Sequence, residues 1–260
     1  MSFVKLEELE SGVAIIRLEN PKALNAMGEE VCDGIIKAAN TVKEKDNIRV
    51  VIITGSGPAF SAGGDISLLA NVKRPSDAKK TFDHAFNVVK SIYELEKPVI
   101  TAVNGVAAGA ATSLVMASDL ILANQKASMF FSFGQIGFCP DSACSYFLAE
   151  KVGYHKAAEL IFFSRHLKAQ ECLDLGFFNK IVDDSENLMS TAIAWAEELA
   201  QGPYYSIKLN KGLLRQTKTN SFYDQAEAES LNQVLAWSSE DFREGAKAFL
   251  EKRKPNFKGK

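Results

Sequence analysis

The sequence has 260 residues, 47% of them hydrophobic and 24% charged, with a formal net charge of -2. That is enough chain for one large domain or one domain with a small appendage, and enough apolar side chain for a substantial core. The near-neutral balance argues against a general nucleic-acid binder, which needs a basic face, and no window offers the uninterrupted apolar run of a membrane span.

Cys32, Cys139, Cys144 and Cys172 form no CxxC pair, and no His stands at metal-ligand spacing from them. They read as free thiols in a reducing compartment, and no metal is expected. Met1 to Glu8 lacks the apolar core of a signal peptide, and Phe257-Lys258-Gly259-Lys260 is not a peroxisomal address. The expected location is the cytoplasm.

Residues 3–19 read as a hairpin turning at Ser11-Gly12, with Val13 to Leu18 as its second strand. Asn20 to Met27 is a loop opening a helix over about 28–43, where Val31, Ile35, Ile36 and Ala39 share a face. The β-branched run Val50 to Gly55 has the pattern of a strand buried on both sides, and a small-residue loop follows to Gly64. A helix over about 76–95 stops at Lys97-Pro98, and a second buried strand, Val99 to Val103, comes next. Ala107 to Ser113 leads into a helix ending near Ser118, then a third strand over 119–123. From Lys156 onward the pattern is helical, with turns near Gly176 and Gly202-Pro203. Alternating strands and helices with short loops predict right-handed crossovers and a mostly parallel sheet, an α/β class.

Ligands of such sheets bind at the carboxyl ends of strands. Two loops sit there: Phe60-Ser61-Ala62-Gly63-Gly64-Asp65-Ile66 and Gly105 to Ser113. Their small residues let backbone approach a ligand and leave N–H groups free at helix starts; two such groups converging on one oxygen make an oxyanion hole. Each has a structural alternative, a plain turn or close helix packing. Neither matches a Walker A or GxGxxG fingerprint.

Downstream, Ser132 to Tyr146 contains one acidic side chain, Asp141. Pro140-Asp141-Ser142 suits a turn or helix N-cap. The alternative is a carboxyl in a poorly solvated pocket, its pKa raised toward that of a working proton carrier.

The motifs Phe60 to Ile66, Pro98-Val99-Ile100-Thr101-Ala102-Val103-Asn104-Gly105, and Ala117-Ser118-Asp119 together resemble the crotonase (enoyl-CoA hydratase/isomerase) superfamily. Asn20-Pro21-Lys22-Ala23-Leu24-Asn25-Ala26 and the closing Glu244 to Pro255 fit the same pattern, so the resemblance spans essentially the whole chain. It implies the crotonase (ClpP-like) fold, repeated ββα units with a C-terminal helical region. Residues 1–200 would be the core and 201–260 a trimerisation or lid region. It also implies a homotrimer or dimer of trimers, with no nucleic-acid or membrane partner. The substrate would be an acyl-CoA thioester, coenzyme A entering as part of it rather than as a cofactor.

The same resemblance assigns the site. The thioester carbonyl would lie between the backbone N–H groups of Gly64 and Ala110; family members usually carry Gly where Ala110 stands, which a negative φ tolerates. The adenine would rest near Ala62, Asp65 and Ile66. Lys22, beside Ala23, and Lys252 or Arg253 would meet phosphates, unless they are ordinary solvated surface. The family's hydratases use two glutamates, and the matching positions here are Ser113 and Phe133, neither an acid near neutral pH. A third acid position matches Asp141, as in single-acid enoyl-CoA isomerases and in phenylacetate-pathway isomerases that open a ring epoxide. Phe133 is expected as an apolar wall beside Asp141. Phe130, Phe131, Phe138 and Tyr146 either extend that wall or belong to the core.

The implied activity is a double-bond shift of the 3-enoyl-CoA to 2-enoyl-CoA type, with Asp141 as proton carrier. Competing readings are a hydratase with an unorthodox acid, a dehalogenase resembling 4-chlorobenzoyl-CoA dehalogenase, and a non-catalytic CoA-ester binding protein. His84 is either a base lining the acyl pocket or a solvated surface residue.

Overall fold

A computed structural model describes residues 3–183 and 185–260. Two strands, β1 (Val4–Glu8) and β2 (Val13–Leu18), form the expected antiparallel hairpin. Helix α1 (Glu29–Glu44) follows, then β3 (Val50–Gly55), β4 (Ala59–Ser61), α2 (Ile66–Asn71) and α3 (Pro75–Tyr93). Next come β5 (Val99–Val103), β6 (Val106–Ala108) and α4 (Ala110–Met116), and then β7 (Leu120–Asn124), β8 (Ser128–Phe130) and α5 (Cys144–Phe162). The chain continues through β9 (His166–Lys168), α6 (Ala169–Asp174), β10 (Lys180–Val182) and α7 (Ser185–Gln201). It ends in α8 (Tyr204–Gln216), α9 (Phe222–Trp237) and α10 (Glu240–Leu250).

The strands make two sheets. One has six strands in the order β1-β2-β3-β5-β7-β10, parallel except at the hairpin; the other has four, β4-β6-β8-β9. Three strands of the first sheet, β3, β5 and β7, are each followed by a short strand of the second and then by helix, so the ββα unit occurs three times among the described residues.

Two findings depart from the sequence pattern. The stretch between Gly55 and Gly64 is not all loop, because β4 lies within it, and the region after Lys156 is not all helix, because β9 and β10 interrupt it. These strands are three residues each. Runs that short cannot display the two-residue alternation by which a strand is read.

Both faces of the first sheet are covered, which is why β3 and β5 are buried at every position. On one side lie α1 and α3, bringing Val31, Ile35, Val88 and Ile92 into the main core. On the other lies α7, presenting Leu188, Ala192, Ala196 and Ala200 at a spacing of four. Three alanines in that stripe let the helix axis approach the sheet closely.

The C-terminal helices are tied to the sheet through Asp119, at the start of β7. Its Oδ2 accepts from the Val99 N–H (2.7 Å) and the Lys211 ammonium (2.5 Å), and its Oδ1 accepts from Arg215 (3.3 Å). Lys211 also donates to the Lys97 carbonyl (2.7 Å), and the Arg215 guanidinium lies 4.2 Å from the Tyr93 ring centre. Burial pushes the Lys211 ammonium down to about 8, against the pull of Asp119. Its side chain is 7% exposed, so deleting Asp119 strands a buried charge. Asp119→Ala is expected to cost about 3–5 kcal/mol in urea unfolding with little change in slope.

Candidate active site

The second sheet brings the two glycine-containing loops together. At the end of β4, Gly63 has φ +84, and a Cβ there would collide with the Ala108 carbonyl and lie 3.3 Å from the Ala110 nitrogen. Only glycine allows this backbone-on-backbone approach. At the end of β6, Gly109 turns the chain into α4 with φ 51 and ψ -126, while its N–H donates to the Phe130 carbonyl (2.9 Å). Ala110 is the first residue of α4 and lacks a positive φ, so its methyl group is accommodated. Among the described residues, neither the Gly64 nor the Ala110 N–H meets a protein acceptor. Both are donors left over by the fold.

A third element holds the first loop in place, and it rests on Asn25. This side chain is fully buried; its Nδ2 donates to the carbonyls of Ser56, Ala59 and Phe60 (2.9–3.1 Å), and its Oδ1 accepts from the Asn20 N–H (2.9 Å). The Ser61 hydroxyl donates to the Asn25 carbonyl (2.7 Å) and in turn accepts from the Gly63 N–H (3.1 Å). Met27 N–H reaches the Gly63 carbonyl (2.7 Å). Asp65 caps α2, accepting from the N–H groups of Ser67 and Leu68 (2.9 and 3.2 Å). The sequence contains Asn25 within a recognisable motif, but its role as a staple depends on partners more than thirty residues away.

Gly64, Asp65, Ala110 and Asp141 line one cavity of about 210 Å³. The cavity is completed by Met27 and Cys32 near the start of α1, Leu68 and Leu69 of α2, and Phe82 and His84 of α3. Asp141 arrives there by a strained route, because Ser142 and Ala143 both have positive φ (50 and 62). Two successive non-glycine residues in that region cost of order 1–3 kcal/mol each and persist only where the surroundings impose them. Here the Asp141 carbonyl accepts from the Cys144 N–H (2.9 Å), and the Ser113 hydroxyl points at it from 3.4 Å.

The Asp141 carboxyl is not a helix cap: α5 starts at Cys144, and its cap residue Ala143 makes no side-chain bond. Its Oδ1 is buried with no hydrogen-bond partner among the described residues. Burial raises the group from its ordinary value, more than the Ser142 hydroxyl and the backbone N–H draw it back. The other acid–base candidates differ. Cys32 on the cavity wall is pushed up to about 12 by burial and by Asp33 and Glu29, so it stays a thiol rather than a nucleophile. His84 is not a free surface residue, since its Nε2 lies 3.0 Å from Asp33.

The remaining predicted positions lie off the cavity wall. Lys22, Ala23, Ile66 and Lys252 are exposed, and Ala62 is half-buried with its N–H on the Leu24 carbonyl (2.9 Å). Phe133 is not among the residues that line this cavity. The 3-10 turn Ser132–Ile136 carries it into the main core, where it is 5% exposed. Phe138 backs the cavity instead, its ring edge-on to Phe82 (5.9 Å between centres). No group of three His, Cys, Asp or Glu side chains among the described residues is placed to hold a metal ion. Likewise no helix among them is long and apolar enough to cross a membrane.

Residues 8–260 match the family model described as enoyl-CoA hydratase/isomerase. The chain belongs to the enoyl-CoA hydratase/isomerase family. It is 34% identical to 1,2-epoxyphenylacetyl-CoA isomerase of Escherichia coli strain K12, over 100% of both chains. It is 29% identical to trans-2-decenoyl-[acyl-carrier-protein] isomerase of Streptococcus mutans, over 98% of each. Among solved structures, an enoyl-CoA hydratase subunit I from Geobacillus kaustophilus HTA426 superposes with a TM-score of 0.93 at 31% identity, covering 99% of this chain and 98% of that one. The fold is therefore the crotonase fold that the sequence motifs imply.

The Asp141 geometry makes a stability prediction with a definite sign. Its folded pKa lies above the unfolded value of about 3.9, so the folded chain holds more protons between those two values. Stability then falls as pH rises through that window. Asp141→Asn is expected to raise the thermal midpoint at pH 7, with the gain vanishing below about pH 4 as the native carboxyl is protonated in both states.

Proposed function

We propose that this chain is an acyl-CoA isomerase that moves a carbon–carbon double bond relative to the thioester carbonyl, with Asp141 as the one proton carrier. The reaction in view converts a 3-enoyl thioester to its 2-enoyl isomer, or opens a ring epoxide by the same proton movement. The observation that carries this reading is the shared cavity. Asp141, whose carboxyl has one buried and unpartnered oxygen, lines the same cavity as Gly64 and Ala110, whose N–H groups are unpaired among the described residues. The two hydratase carboxylate positions are meanwhile held by Ser113 and Phe133, both buried.

The chemistry follows from charge. Removing a proton from the carbon next to the thioester places negative charge on the carbonyl oxygen, and donors aimed at that oxygen lower the barrier by several kcal/mol. The ionised Asp141 takes the proton and returns it to the far carbon of the dienolate, regenerating the carboxylate. A raised pKa makes the carboxylate a stronger base for the first step, and one such group contributes about 10²–10⁴-fold. Both named isomerase relatives support the reading. The Asp65, Ala62 and Ile66 segment, Lys22 with Ala23, and Lys252 are assigned to the nucleotide end of coenzyme A.

Assembly belongs to the same proposal. Helix α9 has no buried residue and exposes Phe222, Tyr223, Leu231, Val234 and Trp237. Exposed apolar surface on that scale supports packing between copies, as a trimer or a dimer of trimers, through residues 201–260.

A hydratase reading draws on Glu29, an acid on the same cavity wall besides Asp65 and Asp141, and on the hydratase name of the Geobacillus structure. Glu29 is exposed on the first turn of α1, with no contact that fixes it opposite Asp141. A panel of CoA thioesters separates the readings. Asp141→Asn is expected to lower kcat for 3-enoyl to 2-enoyl isomerisation by about 10²–10⁴-fold. Isomerisation retained by this variant contradicts the proposal, and hydration lost in Glu29→Gln but kept in Asp141→Asn establishes the hydratase.

A further inference from the structure

We infer that His84, held by Asp33, selects acyl groups that carry a hydroxyl over plain alkyl ones. The inference rests on the acyl thioester reading of the same cavity and names the chemistry of its acyl end.

The cavity has two kinds of wall. Met27, Leu68, Leu69, Phe82 and Ala85 are apolar, whereas Glu29, Lys80, Thr81 and His84 put polar side chains on the part built by α1 and α3. A site for unbranched alkyl chains has no use for the second wall, because each buried polar group facing a methylene loses its water without replacement.

Most of these polar groups are already committed or solvated. Thr81 donates its hydroxyl to the Asp77 carbonyl (3.2 Å), and Lys80 lies 3.7 Å from the Asp77 carboxylate with 80% of its side chain exposed. Glu29 is exposed. His84 differs from all three. Its side chain is 30% exposed, and its Nε2 stands 3.0 Å from Asp33 Oδ1 across the gap between α3 and α1.

That contact occupies Nε2 and leaves Nδ1 as the ring's other polar atom. Among the described residues no hydrogen bond forms to it. A hydroxyl both donates and accepts, so it pairs with Nδ1 whether that nitrogen carries a proton or a lone pair. A half-buried ring nitrogen without a protein partner is satisfied by a substrate hydroxyl and left unmet by a methylene. The difference of one hydrogen bond is worth about 0.5–1.5 kcal/mol, roughly fivefold in affinity. Sites that hydrogen-bond a substrate hydroxyl discriminate against the analogue lacking it by this route.

Calorimetric titration with saturated thioesters tests the inference without requiring turnover. The probes are hexanoyl-CoA and its 4-, 5- and 6-hydroxy derivatives, none of which can isomerise. At least one hydroxy derivative is expected to bind wild type about fivefold more tightly than hexanoyl-CoA. That preference should vanish in His84→Ala and survive in His84→Gln, whose amide supplies both a donor and an acceptor. If wild type binds all four equally, or if the preference persists in His84→Ala, the inference is overturned. Binding of none of the four overturns the acyl-CoA reading and this inference with it, whereas equal binding overturns the inference alone. The wild-type titrations decide the matter even if an alanine variant does not fold.

Discussion

The site depends on one steric constraint, the approach of Gly63 to the Ala108 carbonyl. A side chain at residue 63 would occupy the space taken by that oxygen. Without it, the ends of β4 and β6 lie close enough for Gly64 and Ala110 to face one cavity. The parallel pairing of the short strands sets this distance, and the long strands fix the short ones through the repeated ββα connection. Asn25 completes the arrangement by satisfying the Ser56 carbonyl of the β3–β4 connection and the Ala59 and Phe60 carbonyls of β4. The two N–H groups are therefore held in place by the fold itself.

Asp141 is the complementary element, and its energetics run the other way. Its carboxyl is partly desolvated, one oxygen is unpartnered, and the two residues after it are in left-handed conformations. Each of these features destabilises the folded chain. They meet at the acidic position that the family resemblance assigns as a proton carrier. The rest of the fold supplies the stability that offsets these costs.

Much of this was legible in the sequence because the informative segments are long or chemically extreme. The β-branched runs at 50–55 and 99–103 are strands with unambiguous burial, and the isolation of Asp141 is visible by inspection. The order of the glycine loops and the Ala117-Ser118-Asp119 step carried the family resemblance. What stayed hidden has physical causes. Strands of three residues such as β4 and β9 have no period to read. The inward turn of Phe133 follows from a 3-10 helix that neighbouring glycines do not announce. The His84–Asp33 contact joins residues fifty-one positions apart on two different helices, and no local spacing encodes it. The reverse case is Asp141, where Pro-Asp-Ser reads as a cap while the helix begins beyond it.

The central claim is that one carboxyl, sheltered from water, carries a proton from one carbon of a thioester to another. The most direct measurement is to isomerise a 3-enoyl-CoA deuterated at the carbon next to the thioester and to locate the label in the 2-enoyl product by mass spectrometry and NMR. A single sheltered acid predicts that a substantial share of the deuterium reappears at the far carbon in ordinary water. Complete washout of the label, with solvent hydrogen at the far carbon in every turnover, would contradict transfer by Asp141 alone.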